Sequence, residues 1–203
     1  MNLLNVFDTE TTGLPQFKLP SDHPSQPHLV DIAALLYNEA GELMDSFEAI
    51  IRPDGWTIPD EAARVHGITT EMAMDLGIPE AEALEGFLAI HEQAGMRVAH
   101  NCPFDDRILR IALKRYRGDV AADLFKAGPS FCTCSNSTSI IQLPPTERMI
   151  RAGRGRQFKQ PNLAEAYRFF TGEELEGAHR AKADAQGCAR VYFALRERMA
   201  KVA

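Results

Sequence analysis

The 203-residue chain predicts a mixed α/β layered fold. Three observations carry that reading. Short apolar runs bounded by turn residues fill the first quarter of the chain. Helical spacing of apolar residues then takes over near residue 60. Beyond it, short apolar runs recur between helical stretches, at 97–100 and 130–135.

In chain order, Asn2 to Asp8 reads as a first, buried strand, broken by Gly13-Leu14-Pro15. Pro15 to Pro27 holds four prolines among Ser, Asp and His, and is a loop. Leu29–Asn38 and Leu43–Ile51 are two more strands, joined as a hairpin through Asn38 to Glu42. Asp60 is placed to cap a short helix running to His66, and Thr69 to cap the next, over Thr70–Leu76. Pro79 opens a third helix, with Ala83, Leu84, Phe87 and Leu88 as its apolar stripe. Arg97–His100 is a short buried strand. Phe104, Ile108, Ile111 and Ala112 give helical spacing as far as Tyr116. Ser130–Ser135 reads as a fifth strand, Pro144–Gln160 as a polar basic loop and Pro161–Phe170 as a helix. A last helix runs from about Ala181 to Met199, with Cys188, Val191, Tyr192 and Leu195 inward.

The composition bounds the function. With 45% hydrophobic and 25% charged residues, the chain reads as one globular domain over 1–203, without a repeat. No run nears the ~18 apolar residues of a membrane span. No leader pattern opens the sequence, so the expectation is a cytoplasmic protein with no membrane partner. The four cysteines, Cys102, Cys132, Cys134 and Cys188, lack the C-x-x-C pairs of a zinc site. Cys132 and Cys134 would share one strand face, as reduced packing residues. The net charge of −6 argues against a polyanionic partner until its distribution is seen. Glu147–Lys159 carries Arg148, Arg151, Arg154, Arg156 and Lys159 against one Glu, a local +4. These five are candidate nucleic-acid contacts, with a solvated mobile loop as the plain alternative.

Three acidic segments remain. Asp8 and Glu10, two apart at a strand end, share one face, and paired acids repel unless a cation lies between them. Asp105 and Asp106 open a helix, where acids favour the macrodipole, and Asp106 needs no further role. His179 and Asp184 are five apart, about 140° around an ideal helix. They reach one site only if His179 precedes the helix and Asp184 lies within it, a turn that Gly177 permits.

Phe7-Asp8-Thr9-Glu10-Thr11-Thr12-Gly13, His100-Asn101-Cys102-Pro103-Phe104-Asp105 and His179-Arg180-Ala181-Lys182-Ala183-Asp184 match, in order and spacing, the DEDDh branch of the DnaQ-like 3′–5′ exonucleases. Val65-His66-Gly67-Ile68-Thr69 is similar to a segment of the proofreading members. The resemblance spans Leu4 to about Leu195. It is to proofreading exonuclease subunits of DNA polymerase, and in its loops to phage-type exonucleases. It departs in the loops near 15–27 and 143–160.

The resemblance implies a ribonuclease H-like fold with a five-stranded mixed sheet flanked by helices. It implies that Asp8, Glu10, Asp105 and Asp184 hold two divalent ions, Mg²⁺ or Mn²⁺, and that His179 is the general base. Nucleoside 5′-monophosphates would leave DNA 3′ ends, single-stranded or frayed. By the same resemblance Thr9, Thr11, Thr12, His66, Asn101 and Phe104 line the terminal nucleotide; a buried structural role is the alternative for His66. Phe17 and Phe158 would stack on unpaired bases or anchor their loops. RNA trimming is the alternative within the family, and a silent interaction module the alternative outside it. Proofreading would need a separate DNA polymerase as partner. The residues are silent on oligomeric state.

Overall fold

A computed structural model describes residues 3–201. Its centre is a six-stranded sheet in the order β4-β3-β2-β1-β5-β6. The strands are β1 (Leu4–Thr11), β2 (Leu29–Tyr37), β3 (Leu43–Arg52), β4 (Ile78–Pro79), β5 (Met96–Ala99) and β6 (Ser130–Cys132). The helices are α1 (Asp60–His66), α2 (Thr70–Leu76), α3 (Glu80–His91), α4 (Cys102–Ala127), α5 (Thr133–Ile141), α6 (Glu147–Arg151), α7 (Leu163–Thr171) and α8 (Ala181–Ala200). β1, β2 and β3 form an antiparallel meander, and β5 and β6 add parallel to β1. The fold is the mixed α/β layered arrangement that the sequence predicts.

Each face of the sheet buries its own layer. Phe7, Leu29, Ile32, Ala34 and Leu36 pack with Leu84, Phe87, Ile108 and Ile111 of α3 and α4. Leu4, Val6 and Val98 pack with Cys188, Ala189 and Tyr192 of α8, and Ala33 and Leu35 with Ala181 and Ala185. Burial on both faces explains why β2 is apolar almost throughout.

The structure departs from the expectations at several elements. Residue Asn2, expected to open the first strand, lies outside the described residues. A sixth strand, β4, pairs parallel with Ile51 and Arg52. It exists because the chain at Gly77 runs against β3: an added Cβ would stand 2.3 Å from the Ala73 carbonyl oxygen and 2.5 Å from the Arg52 nitrogen. Pro59, not Asp60, takes the N-cap of α1, and Asp60 is its first helical residue. Thr69 caps α2 as expected, accepting from the Met72 N–H. α4 runs past Tyr116 to Ala127, breaking direction at Gly118.

β6 stops at Cys132. The Cys132 carbonyl is taken by Ser135 Oγ at 3.2 Å and Asn136 Nδ2 at 2.8 Å, which turns the chain into α5. Cys132 and Cys134 therefore do not share a strand face, and all four cysteines are free. The basic stretch is not structureless either. A Leu143–Lys159 bridge closes its base, and inside it Thr146 caps the short α6 by accepting from Met149 N–H.

Candidate active site

The row of even-numbered residues on β1 makes the site. Leu4 and Val6 face α8 through apolar contacts. Period two carries Asp8 and Glu10 onto the same side, at the carboxyl end of a central strand. Ligands of open α/β sheets bind at such strand ends. α8 brings Asp184 over this row, and the first turn of α4 brings Asp105 to its edge. Thr9 ties the two elements: its N–H and its hydroxyl donate to Asp105 Oδ1 at 3.1 and 2.8 Å.

His179 stands just before α8. Its backbone adopts φ 67°, two residues after Gly177 at the same angle. This turn solves the 140° problem: His179 precedes the helix, and its N–H donates to Asp184 Oδ2 at 2.9 Å. Ligand atoms of Glu10, His179 and Asp184 lie within 4.8 Å of one another.

The electrostatics are those of a site short of positive charge. Burial raises the Asp8 carboxyl well above its usual range, and Asp105, Asp184, Glu10 and Asp31 push it further. Burial, then Asp184 and Asp31, lift Glu10 to about 7, with Arg180 opposing. Burial lifts Asp105 to about 8 although Thr9 donates to it. Asp184 is also raised by burial, against the His179 N–H, and its Oδ1 is buried without a partner among the described residues. Acidic oxygens gathered this closely, one of them orphaned, fit a hard divalent cation.

The other residues singled out from sequence are placed as follows. Thr11 Oγ1 donates to the Gly13 carbonyl at 2.8 Å. Thr12 Oγ1 accepts from His28 N–H at 3.0 Å, fastening the end of β1 to the start of β2. His66 is buried; its Nδ1 accepts from Ile68 N–H at 3.1 Å, so the proton sits on Nε2, which is buried without a partner among the described residues. Asn101, exposed at φ 67°, opens α4, and Phe104 packs against the main core. Arg148, Arg151, Arg154 and Arg156 are exposed, while Lys159 pairs with Glu165. The basic arm is rooted near the site, because His100 Nε2 donates to the Pro161 carbonyl at 3.0 Å. The Pro15–Pro27 loop is fastened by Arg107 to the Leu19 carbonyl and by Arg115 to the Pro27 carbonyl.

Sequence reasoning missed Asp31 and Arg180. Asp31, opposite Glu10 in the β1–β2 register, accepts from Arg180 Nε at 2.9 Å. The available signal was a lone carboxylate inside Leu-Val-Asp-Ile-Ala-Ala-Leu-Leu, which needs a partner once the strand is buried on both faces.

Comparison with known proteins identifies the family and the fold. The model of the Exonuclease family, RNase_T, matches residues 6–192. The epsilon subunit of DNA polymerase III of Treponema pallidum is 26% identical over 188 residues, 92% of this chain and 73% of that protein. The PolC-type DNA polymerase III of Thermotoga maritima is 33% identical over 113 residues, 56% of this chain but only 7% of that protein. Among solved structures, E. coli Exonuclease I in complex with a dT13 oligonucleotide superposes with a TM-score of 0.75 at 17% identity, over 100% of this chain and 42% of that one. Exonuclease I from Methylocaldum szegediense gives 0.68 at 22%, over 99% of this chain and 42% of that one. The chain thus spans under half the length of these exonucleases. It belongs to the Exonuclease family, in the DnaQ-like branch, and carries that family's 3′–5′ exonuclease domain on a ribonuclease H-like fold.

Proposed function

We propose that this chain, as one domain over 1–203, removes nucleoside 5′-monophosphates one at a time from 3′ ends of DNA, single-stranded or frayed. The observation that carries this is the meeting of Glu10, His179 and Asp184 within 4.8 Å, with Asp105, Asp184 and Glu10 close enough to raise the Asp8 carboxyl and Asp184 Oδ1 without a partner among the described residues. Those four carboxylates would hold two Mg²⁺ or Mn²⁺ ions, which when bound make water acidic enough to attack and draw charge from the phosphodiester. His179, exposed at the mouth of the site, takes the proton of the attacking water. Its fixed N–H bond to Asp184 keeps the imidazole at the carboxylate edge. Thr9 keeps Asp105 aimed at the same edge. His66 has an Nε2–H without a partner among the described residues, free to meet a terminal nucleotide. Asn101 and Phe104 flank that position. Arg148, Arg151, Arg154 and Arg156 give the strand leading to the site cationic company, and exposed Phe17 and Phe158 offer faces for its bases.

DNA is favoured because relatives carry the names of DNA polymerase III subunits. The same names support a separate DNA polymerase as partner. Four free cysteines suit the reducing cytoplasm, and among the described residues no helix is long and apolar enough to cross a membrane.

The test is digestion of 5′-labelled DNA and RNA single strands of equal length with Mg²⁺ or Mn²⁺. A shortening ladder on DNA, absent with EDTA and in Asp8→Ala, is expected. A ladder on RNA alone would reassign the substrate. No cleavage of either would leave a silent interaction module.

A further inference from the structure

We infer that Asp31 and Arg180 are positioning residues that set the direction of His179; this rests on the exonuclease reading above. α8 has no side-chain cap of its own, because Arg180 stands at its N-cap and offers no acceptor. Asp31 supplies the missing carboxylate from a strand 150 positions earlier. Its Oδ2 accepts both Arg180 Nε at 2.9 Å and the Ala181 N–H at 3.2 Å. His179 is thereby held from two sides. Its own N–H is bound to Asp184, and the next two residues are bound to Asp31. Both holds are needed, since a histidine at φ 67° is in a conformation that side-chain-bearing residues leave when released.

Asp31 differs from the carboxylates around it. Its side chain is 5% exposed and carries an ion pair, whereas Asp8 and Glu10 form no ion pair among the described residues. Oδ2 of Asp31 is committed to two donors of the α8 start, whereas the two donors on Asp105 both come from Thr9 of β1. The nearby Lys182–Glu48 pair at 2.6 Å is exposed on both sides and adds little to the hold.

Asp31→Asn and Arg180→Gln test this, each alone and combined with His179→Ala. Three quantities are read: kcat and KM on a labelled DNA single strand, Mn²⁺ affinity by calorimetric titration, and amide exchange over residues 178–182. Expected are a roughly 10- to 100-fold loss of kcat for Asp31→Asn, with KM and Mn²⁺ affinity within about threefold. Exchange at 178–182 should quicken, and in the His179→Ala background the kcat loss should nearly vanish. An equal loss in both backgrounds overturns the proposal, and so does a tenfold fall in Mn²⁺ affinity, which would make Asp31 a ligand. If Asp31→Asn does not fold, Arg180→Gln decides, since that side chain is 48% exposed. An inactive wild type defeats the exonuclease reading instead, while unchanged exchange at 178–182 still defeats the clamp.

Discussion

Glu10 and Asp105 show how burial sets charge in this site. In the folded, metal-free protein their carboxyls sit near 7 and 8, against ordinary values of 4.5 and 3.8. Between those values the folded chain keeps protons that the unfolded chain has lost. Their contribution to stability is therefore fully present below about pH 4 and is lost as pH rises toward 8. Half-buried His91 and His100 are held below their ordinary range by desolvation and slope the other way, so the comparison must be with a variant. In EDTA, Glu10→Gln should gain on the wild type in Tm as pH goes from 5 to 8; a constant or shrinking difference would refute the assignment. Excess Mn²⁺ should reverse the order, because the wild type then gains a ligand that the variant lacks. For the base, His179→Ala should lower kcat by about 10²–10⁴-fold, the range of general-base catalysis, at unchanged Mn²⁺ affinity. Steady-state digestion of the labelled strand reads this directly.

Among the elements, α7 and the start of α3 make sharp predictions. α7 opens on a complete capping box: Asn162 accepts from Glu165 N–H, and the Glu165 carboxylate accepts from Asn162 N–H, both at 2.8 Å. α7 in turn packs Ala166 and Tyr167 against Val191 and Leu195 of α8. Asn162→Ala should cost about 1 kcal/mol in urea unfolding. Gly77→Ala, just ahead of α3, should cost more, roughly 1–3 kcal/mol, because the Cβ meets backbone atoms that cannot swing aside. Neither change touches the carboxylates, so kcat well below the melting temperature should hold in both.

Across the whole molecule the charge is divided rather than merely negative. The net is −6, with acid concentrated at the site and the basic arm of 143–160 rooted beside it through His100 and Pro161. If the arm grips phosphates, replacing Arg148, Arg154 and Arg156 with Gln should flatten the dependence of log KM on log salt by up to about 2 units. An unchanged slope would return the arm to a solvated surface feature.

Local spacing carried most of what the sequence determined. The strand ends, the Thr69 cap, the helical stripes and the acidic segments each depend on residues within a few positions, where backbone geometry is the same in every fold. That is why spacing alone puts Asp8 and Glu10 on one face and His179 ahead of its helix. Where local spacing misled, a distant partner had intervened. The strand at 130–135 became a helix after Cys132, where the Thr133 hydroxyl is buried against β5 and donates to the Ala99 carbonyl, 34 positions away. β4 formed because Gly77 allows two backbones to meet. The meeting of Glu10, His179 and Asp184 within 4.8 Å, and the clamp of Arg180 by Asp31, were decided by the tertiary structure alone. Contacts between residues 149 positions apart have no local spacing to betray them, and only the packing of α8 across β1 and β2 brings them into reach.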